Sequence, residues 1–257
     1  MTILHSNIVP TVGSNILQSI FGEEFKLLNT GYASGEENMA FDELCVHQVE
    51  NQISPPIFRL YGWNPWAVSL GYHQTLEHIS LNECKLRSID VVKRPTGGRA
   101  VLHAGEVTYS IITRCDNAQQ LYASIHGLLL EALKYYSPFL SFEKHQPDLR
   151  KLYTDNSTVN KICFTSAARY ELQIDGRKLV GSAQRLYKNI LLQHGSILLN
   201  NSHENIVELF NNISENTRDQ EKKKLHERSI SLEEITGTHV SWDSCVSQIT
   251  SYVYSQV

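Results

Sequence analysis

The sequence predicts an α+β fold, a mainly antiparallel, mixed β-sheet flanked by helices. Three observations carry this reading. Asp175-Gly176 suits a type I′ turn, whose two central residues both take positive φ, and it lies between the alternating run RYELQI and RKLVGSAQ. After Lys188-Asn189 the run ILLQHGSILL continues as a further strand, so hairpins dominate. Helical spacing of apolar residues is confined to separate stretches, above all AQQLYASIHGLLLEALKYY and the C-terminal SWDSCVSQITSYVYSQV.

In chain order, residues 1–24 are weakly patterned and read as an N-terminal extension outside the main fold, with Asn15 to Phe21 able to form a short helix. Residues 25–257 then form a single domain. FKLLNTG is a short strand ending at a glycine. GEENMAFDELCVHQVE places acids in the first helical turn, where the helix dipole favours them, and puts Ala40, Leu44 and His47 on one stripe. Phe58 to Tyr61 and Ala67 to Leu70 are strands about a Gly-Trp-Asn-Pro turn, because Pro65 cannot sit inside a central strand. Leu76 to Ser88 reads as a helix. Val91 to Arg94 and Val107 to Thr113 are strands bracketing Thr96-Gly97-Gly98-Arg99.

Leu121, Ile125, Leu128, Ala132 and Tyr136 recur at helical spacing, and Pro138 stops that helix. Phe142 to Lys161 is polar and aperiodic, a loop leading to Cys163. Ile206, Leu209, Phe210 and Ile213 define an amphipathic helix over 204–213. Ser231 and Glu234 have the spacing of a capping box before a helix that ends at Gly237. The last helix, from Ser241, turns Val246, Ile249 and Val253 inward.

At 257 residues and 41% hydrophobic, the chain can bury a substantial core. A net charge of -4 gives no electrostatic reason to expect nucleic acid, and the Lys222-Lys223-Lys224 run beside acids reads as a solvated helix face. Five cysteines, at 45, 84, 115, 163 and 245, are widely spaced with no Cys-x-x-Cys pair. That pattern fits reduced thiols in a cytoplasm and neither a disulfide framework nor a structural metal site. No apolar run approaches the ~18 residues needed to span a bilayer. A soluble, cytoplasmic protein without a membrane partner is expected.

Chemistry concentrates in a few segments. Lys93 to His103 joins two apolar strands through a double glycine flanked by Arg94 and Arg99, which is either an ordinary hairpin turn with surface arginines or a backbone cradle for an anion or a polarised carbonyl. Cys163 is either a small core residue or a nucleophile; Lys161 beside it and Lys178 across the hairpin would stabilise the attacking thiolate. Lys178 alone would be an ordinary strand lysine, and His194 a satisfied core histidine.

Together these segments resemble a family. NMAFDE (38–43), RLYGWNPWAVSLGYHQ (59–74), KRPTGGRAVLHAGEVTYS (93–110), CFTSAARYEL (163–172), GRKLVGSAQ (176–184) and ILLQHGSILL (190–199) are similar to the lipoate/biotin protein ligase and octanoyltransferase superfamily, in particular its cysteine-dependent octanoyl-[acyl-carrier-protein]:protein octanoyltransferases. The resemblance implies a lipoate/biotin ligase-like catalytic domain and a two-step transfer that uses no cofactor. Cys163 would take the octanoyl group from acyl-carrier protein as a thioester, and the lysine of a lipoyl domain or glycine-cleavage H protein would receive it. It implies that Lys178 holds the thioester carbonyl and that Gly181, Ser182 and Ala183 offer backbone N–H groups to the oxyanion. Arg94, Thr96, Gly97, Gly98, Arg99, Val101, Leu102 and His103 would line the acyl pocket, with His194 in or behind its wall. An ATP-dependent lipoate ligase, an amidotransferase between carrier proteins and a non-catalytic binder of acylated domains are the competing readings; the presence of Cys163 and Lys178 counts against the non-catalytic binder, and Cys163 disfavours the ATP ligase.

Overall fold

The computed structural model describes residues 2–143, 171–211 and 213–257. Its centre is a six-stranded sheet of β1 (His5–Pro10), β2 (Glu24–Ala33), β3 (Ile57–Trp63), β7 (Glu106–Arg114), β12 (Ile190–Leu198) and β11 (Val180–Tyr187), in the order β1-β2-β3-β7-β12-β11. Only β2 and β3 pair in parallel; the other neighbours are antiparallel. A second sheet has the order β5-β4-β6, from β4 (Ala67–Leu70), β5 (Asp90–Lys93) and β6 (Val101–His103). A third joins β8 (Ser141–Phe142), β9 (Leu172–Ile174) and β10 (Arg177–Lys178). Mixed, mainly antiparallel pairing flanked by helices is the α+β class the patterning predicts.

Strand alternation on β7 separates the two faces of the large sheet. Val107, Tyr109 and Ile111 join the main core with α1 (Asn15–Phe21) and α4 (Ala118–Leu133), whereas Ile112 packs with Cys45, Val46 and Val49 of α2 (Gly35–Glu50). Helices cover both faces, so β3, β7 and β12 are buried along nearly their whole length. Further helices are α3 (Leu81–Leu86), α5 (Glu215–Arg228), α6 (Leu232–Thr236) and α7 (Trp242–Tyr254).

Several expectations need correction. Residues 1–24 do not lie outside the main fold. β1 pairs along β2 from His5↔Asn29 to Pro10↔Glu24, and Leu17, Ile20 and Phe21 of α1 are buried against the core. The segment reads weakly because β1 buries only Val9. On α2 the stripe of Ala40, Leu44 and His47 is the exposed one; Asn38, Asp42, Cys45 and Val49 face inward, since buried Arg59 supplies partners for polar groups there.

The strands about Asn64-Pro65 belong to different sheets. Leu76 to Ser88 is a 3₁₀ turn at Leu76–His78 followed by α3, broken where Ser80 caps α3 through the Glu83 N–H. Residues 201–209 form a 3₁₀ helix instead of an α-helix, although Ile206, Leu209 and Phe210 are buried as the spacing requires. Ser231 caps α6 through the Glu234 N–H, while the Glu234 carboxylate goes to Arg177 and does not close the box; α4 follows its periodicity to Leu133 and ends before Tyr136, and Gly237 is in the left-handed conformation.

Candidate active site

The site grows from the Asp175-Gly176 turn, whose φ values of 52° and 78° are those of a type I′ hairpin. It sets Arg177 opposite Ile174 and Lys178 opposite Gln173. The two cations diverge, as neighbours on a strand must. Arg177 reaches outward to Glu234 and to the carbonyls of Ser229 and His226. Lys178 is buried, with Nζ 2.6 Å from Oε1 of buried Glu171.

From Lys178 the chain enters β11, where Gly181, Ser182 and Ala183 pair with Ser196, Gly195 and His194 of β12. Gly195 is required by close approach: a Cβ there would lie 2.6 Å from the Gly181 carbonyl oxygen. On the α4 side, Ser182 Oγ sits 2.9 Å from His126 Nε2 and 2.7 Å from the Tyr109 hydroxyl, which in turn accepts from Gln193. Burial, with the Lys178 ammonium adding to it, pushes His126 down to about 3, so this imidazole is neutral.

A cavity opens beside Gly181, Ser182 and Ala183, with Tyr61, Trp63 and Val101 among its apolar walls and Arg94, His103 and His194 among its polar ones. Arg94 is no surface arginine. Its guanidinium donates to the Ser69 carbonyl (2.9 Å), Ser69 Oγ (3.0 Å), the Gly97 carbonyl (2.9 Å) and the Arg99 carbonyl (2.6 Å), and so holds the 94–99 loop in shape. That loop is not a hairpin turn between its flanking strands: β5 and β6 lie on opposite sides of β4, one parallel and one antiparallel to it. Gly98 takes φ 93°, and a Cβ on Gly71 would meet its carbonyl oxygen at 2.0 Å.

Of the remaining loop residues, Thr96 Oγ1 lies 2.6 Å from His194 Nε2. Gly97, Gly98, Arg99 and Leu102 are not among the cavity's lining; Leu102 packs in the main core because alternation on β6 sends it away from Val101's side.

Reasoning from sequence missed two buried polar clusters behind the cavity. In the first, Arg59 donates to Asp42 Oδ1 (2.7 Å), Asn38 Oδ1 (2.6 Å) and Thr30 Oγ1 (2.9 Å), while Ser110 and Tyr61 also donate to Asp42. Burial works to raise the Asp42 carboxyl, but Arg59 and His194 outweigh it and hold it below the usual range. His194, 3.4 Å from Asp42, is driven down by burial and stays neutral, in keeping with its reading as a wall residue.

In the second cluster Glu106 Oε1 meets His103 Nδ1 at 2.8 Å and accepts from Thr108 and Ser196. Ser69 Oγ lies 2.7 Å from His103 Nε2, and Trp63 stacks on the His103 ring. Asp42 lies inside the quoted NMAFDE segment and Glu106 three residues after His103, so the only available signal was their place in the motifs. Cys163 lies outside the described residues. Among those residues no cluster of His, Cys, Asp or Glu could hold a metal ion, and no helix is long and apolar enough to cross a membrane.

The family described as the lipoyl protein ligase A/B catalytic domain matches residues 34–253. The octanoyltransferase LipM of Lysinibacillus sphaericus is 33% identical over 231 residues, 86% of this chain and 82% of that protein. Octanoyltransferase LipM of Bacillus subtilis is 31% identical over 230 residues, again 86% and 82%. Among solved structures, lipoate-protein ligase A bound with ATP aligns with TM-score 0.63 at 19% identity, over 90% of this chain and 83% of that one. The bipartite lipoate protein ligase of Thermoplasma acidophilum, solved with its E2 lipoyl domain, aligns at 0.60 and 20%, over 88% and 80%. These last two likenesses bear on the fold.

Proposed function

The chain belongs to the lipoyl protein ligase A/B catalytic domain family, and from that premise we infer that it is an octanoyltransferase of protein lipoylation with a lipoyl domain as acceptor. The observation that carries the reading in the structure is the apolar-walled cavity lined by Gly181, Ser182 and Ala183, with the buried Lys178 ammonium two residues before the strand that carries them. An ammonium at this position polarises an acyl carbonyl while the cavity takes the alkyl chain.

In the proposed mechanism the Cys163 thiolate attacks octanoyl-acyl-carrier protein. The new S–C bond forms as the carrier's thiolate leaves and takes up a proton. The ε-amine of the acceptor lysine, on a lipoyl domain or glycine-cleavage H protein, then attacks the thioester. The Cys163 thiolate leaves and the amine's proton passes to solvent. Thioester exchange is near thermoneutral and amide formation is downhill, so no nucleotide or metal enters the balance. Lys178 stabilises both the thiolate and the developing oxyanion. Val101 and Trp63 contact the chain, Arg94 keeps its loop in place, and the Asp42–Arg59 and Glu106–His103 clusters hold the walls.

Incubation with octanoyl-acyl-carrier protein in the absence of ATP gives an octanoyl mass adduct on Cys163 that hydroxylamine removes, and Cys163→Ala gives none. An unmodified protein, or a requirement for ATP and free octanoate, overturns the mechanism.

A further inference from the structure

Lys178 sits on a slight support. Its hairpin has two rungs, Arg177 with Ile174 and Lys178 with Gln173, and closes with the Leu179 N–H on the Leu172 carbonyl at 2.9 Å. The Asp175-Gly176 turn at its other end is exposed. So short a ribbon is marginal without help from outside. The help comes from the corner between α5 and α6. There the Ile230 N–H donates to the Lys178 carbonyl at 3.0 Å, and residues 178 and 229 form an isolated parallel bridge.

Arg177 spends all three guanidinium nitrogens on the same corner. Nε donates to the Ser229 carbonyl at 2.9 Å, Nη2 to the His226 carbonyl at 2.9 Å and to Glu234 Oε2 at 3.0 Å, and Nη1 to Glu234 Oε1. His226 lies in the last turn of α5 and Ser229 is its cap, where the helix dipole favours a cation, and Glu234 stands in the first turn of α6. Burial works to raise the Glu234 carboxyl, but the hydrogen bonds and charge of Arg177 hold it below the usual range. A planar fork bound at both arms fixes direction as well as distance, which a lysine ammonium cannot do. Neighbouring strand residues point to opposite sides, so a fork locked outward at 177 holds the side chain at 178 inward, toward Glu171.

We propose that Arg177 is a positioning residue for the transfer: clamped to the α5–α6 corner, it sets where the Lys178 ammonium stands against the acyl carbonyl. The proposal rests on the reading that Lys178 acts on that carbonyl. Arg177 does not line the acyl cavity, so its effect falls on the reacting centre and not on the hold of the alkyl chain.

The test is steady-state octanoyl transfer from octanoyl-acyl-carrier protein to a lipoyl domain, run at a temperature where thermal unfolding shows every variant folded. Arg177→Ala lowers kcat roughly 10- to 100-fold, the scale of a small misplacement at a reacting centre, and leaves KM for the octanoyl donor within about twofold. Arg177→Lys keeps the charge without the fork and loses kcat in the same way; should the alanine variant not fold, it carries the test alone. Adding Glu234→Ala to Arg177→Ala lowers kcat no further, because the two act as one clamp. Arg218→Ala breaks a comparable pair with Glu208, with side chains 32% and 31% exposed, and leaves kcat at its wild-type value. Wild-type kcat in either Arg177 variant, or an equal loss in Arg218→Ala, overturns the positioning role alone when Lys178→Met is inactive. Lys178→Met with wild-type transfer overturns it together with the role of Lys178.

Discussion

Replacing Lys178 by Met separates catalysis from architecture, because the same ammonium that is assigned to the acyl carbonyl also neutralises Glu171. The two charged groups are 2.6 Å apart with side chains only 7% and 3% exposed. At an effective dielectric of about 20 their attraction is about 6 kcal/mol, and desolvation takes back part of it. What Lys178→Met removes is the partner of a buried carboxylate, which costs about 3–5 kcal/mol. For a chain of this size that is a fall in Tm of about 6–20 °C. Lys178→Met/Glu171→Leu removes the stranded charge as well and recovers most of the loss. Thermal unfolding and single-turnover octanoyl transfer are measured on both variants. Transfer stays lost in the double variant although stability returns. Recovery of transfer along with stability would refute the catalytic role and leave Lys178 a structural cation; a single variant as stable as wild type would refute the buried pair.

Two further outcomes follow from buried polar groups. Burial drives His203 down to about 4 and His126 to about 3, so the folded protein holds both neutral while the unfolded chain protonates near 6.5. Their contribution is complete above pH 6.5 and drains away as pH falls toward 4, about 3 kcal/mol in all for His203; urea midpoints across this range decline in wild type, and His203→Gln flattens the decline. On α2, Asp42→Asn leaves the Arg59 guanidinium without its carboxylate and costs about 3–5 kcal/mol, whereas Leu44→Lys on the exposed side changes stability by less than about 0.5 kcal/mol. Equal losses in urea titrations would mean that the helix is rotated from its described orientation.

What could be read from the sequence was local. The Asp175-Gly176 hairpin, the Ser231–Glu234 cap and the α4 periodicity depend on residues a few positions apart, and each is found in place. The site was legible as a set of segments, and the structure sets Arg94, Val101, His103, Gly181, Ser182, Ala183 and His194 around one cavity. Illegible were contacts that invert a local rule. Asp42 faces inward because Arg59, 17 positions on, pairs with it, and no apolar stripe on α2 announces that. His126 sits within an apolar helix face and appears ordinary until Ser182, 56 positions away, lies against it. The arrangement of β5, β4 and β6 depends on pairing across the second sheet, so the local sequence leaves the glycine-rich connection open between an ordinary hairpin turn and a backbone cradle.

The N-terminal ribbon has a practical bearing. With β1 forming the outer rim of the sheet and Ile20 offering its carbonyl to Thr113, a version trimmed to begin at Phe25 would bare the hydrogen-bonding edge of β2 and uncover the greasy flank of α4 beneath α1. Such an edge invites other chains to add to it. Solubility of the trimmed protein, more than its turnover, is where the strand and helix positions of β1 and α1 make themselves felt.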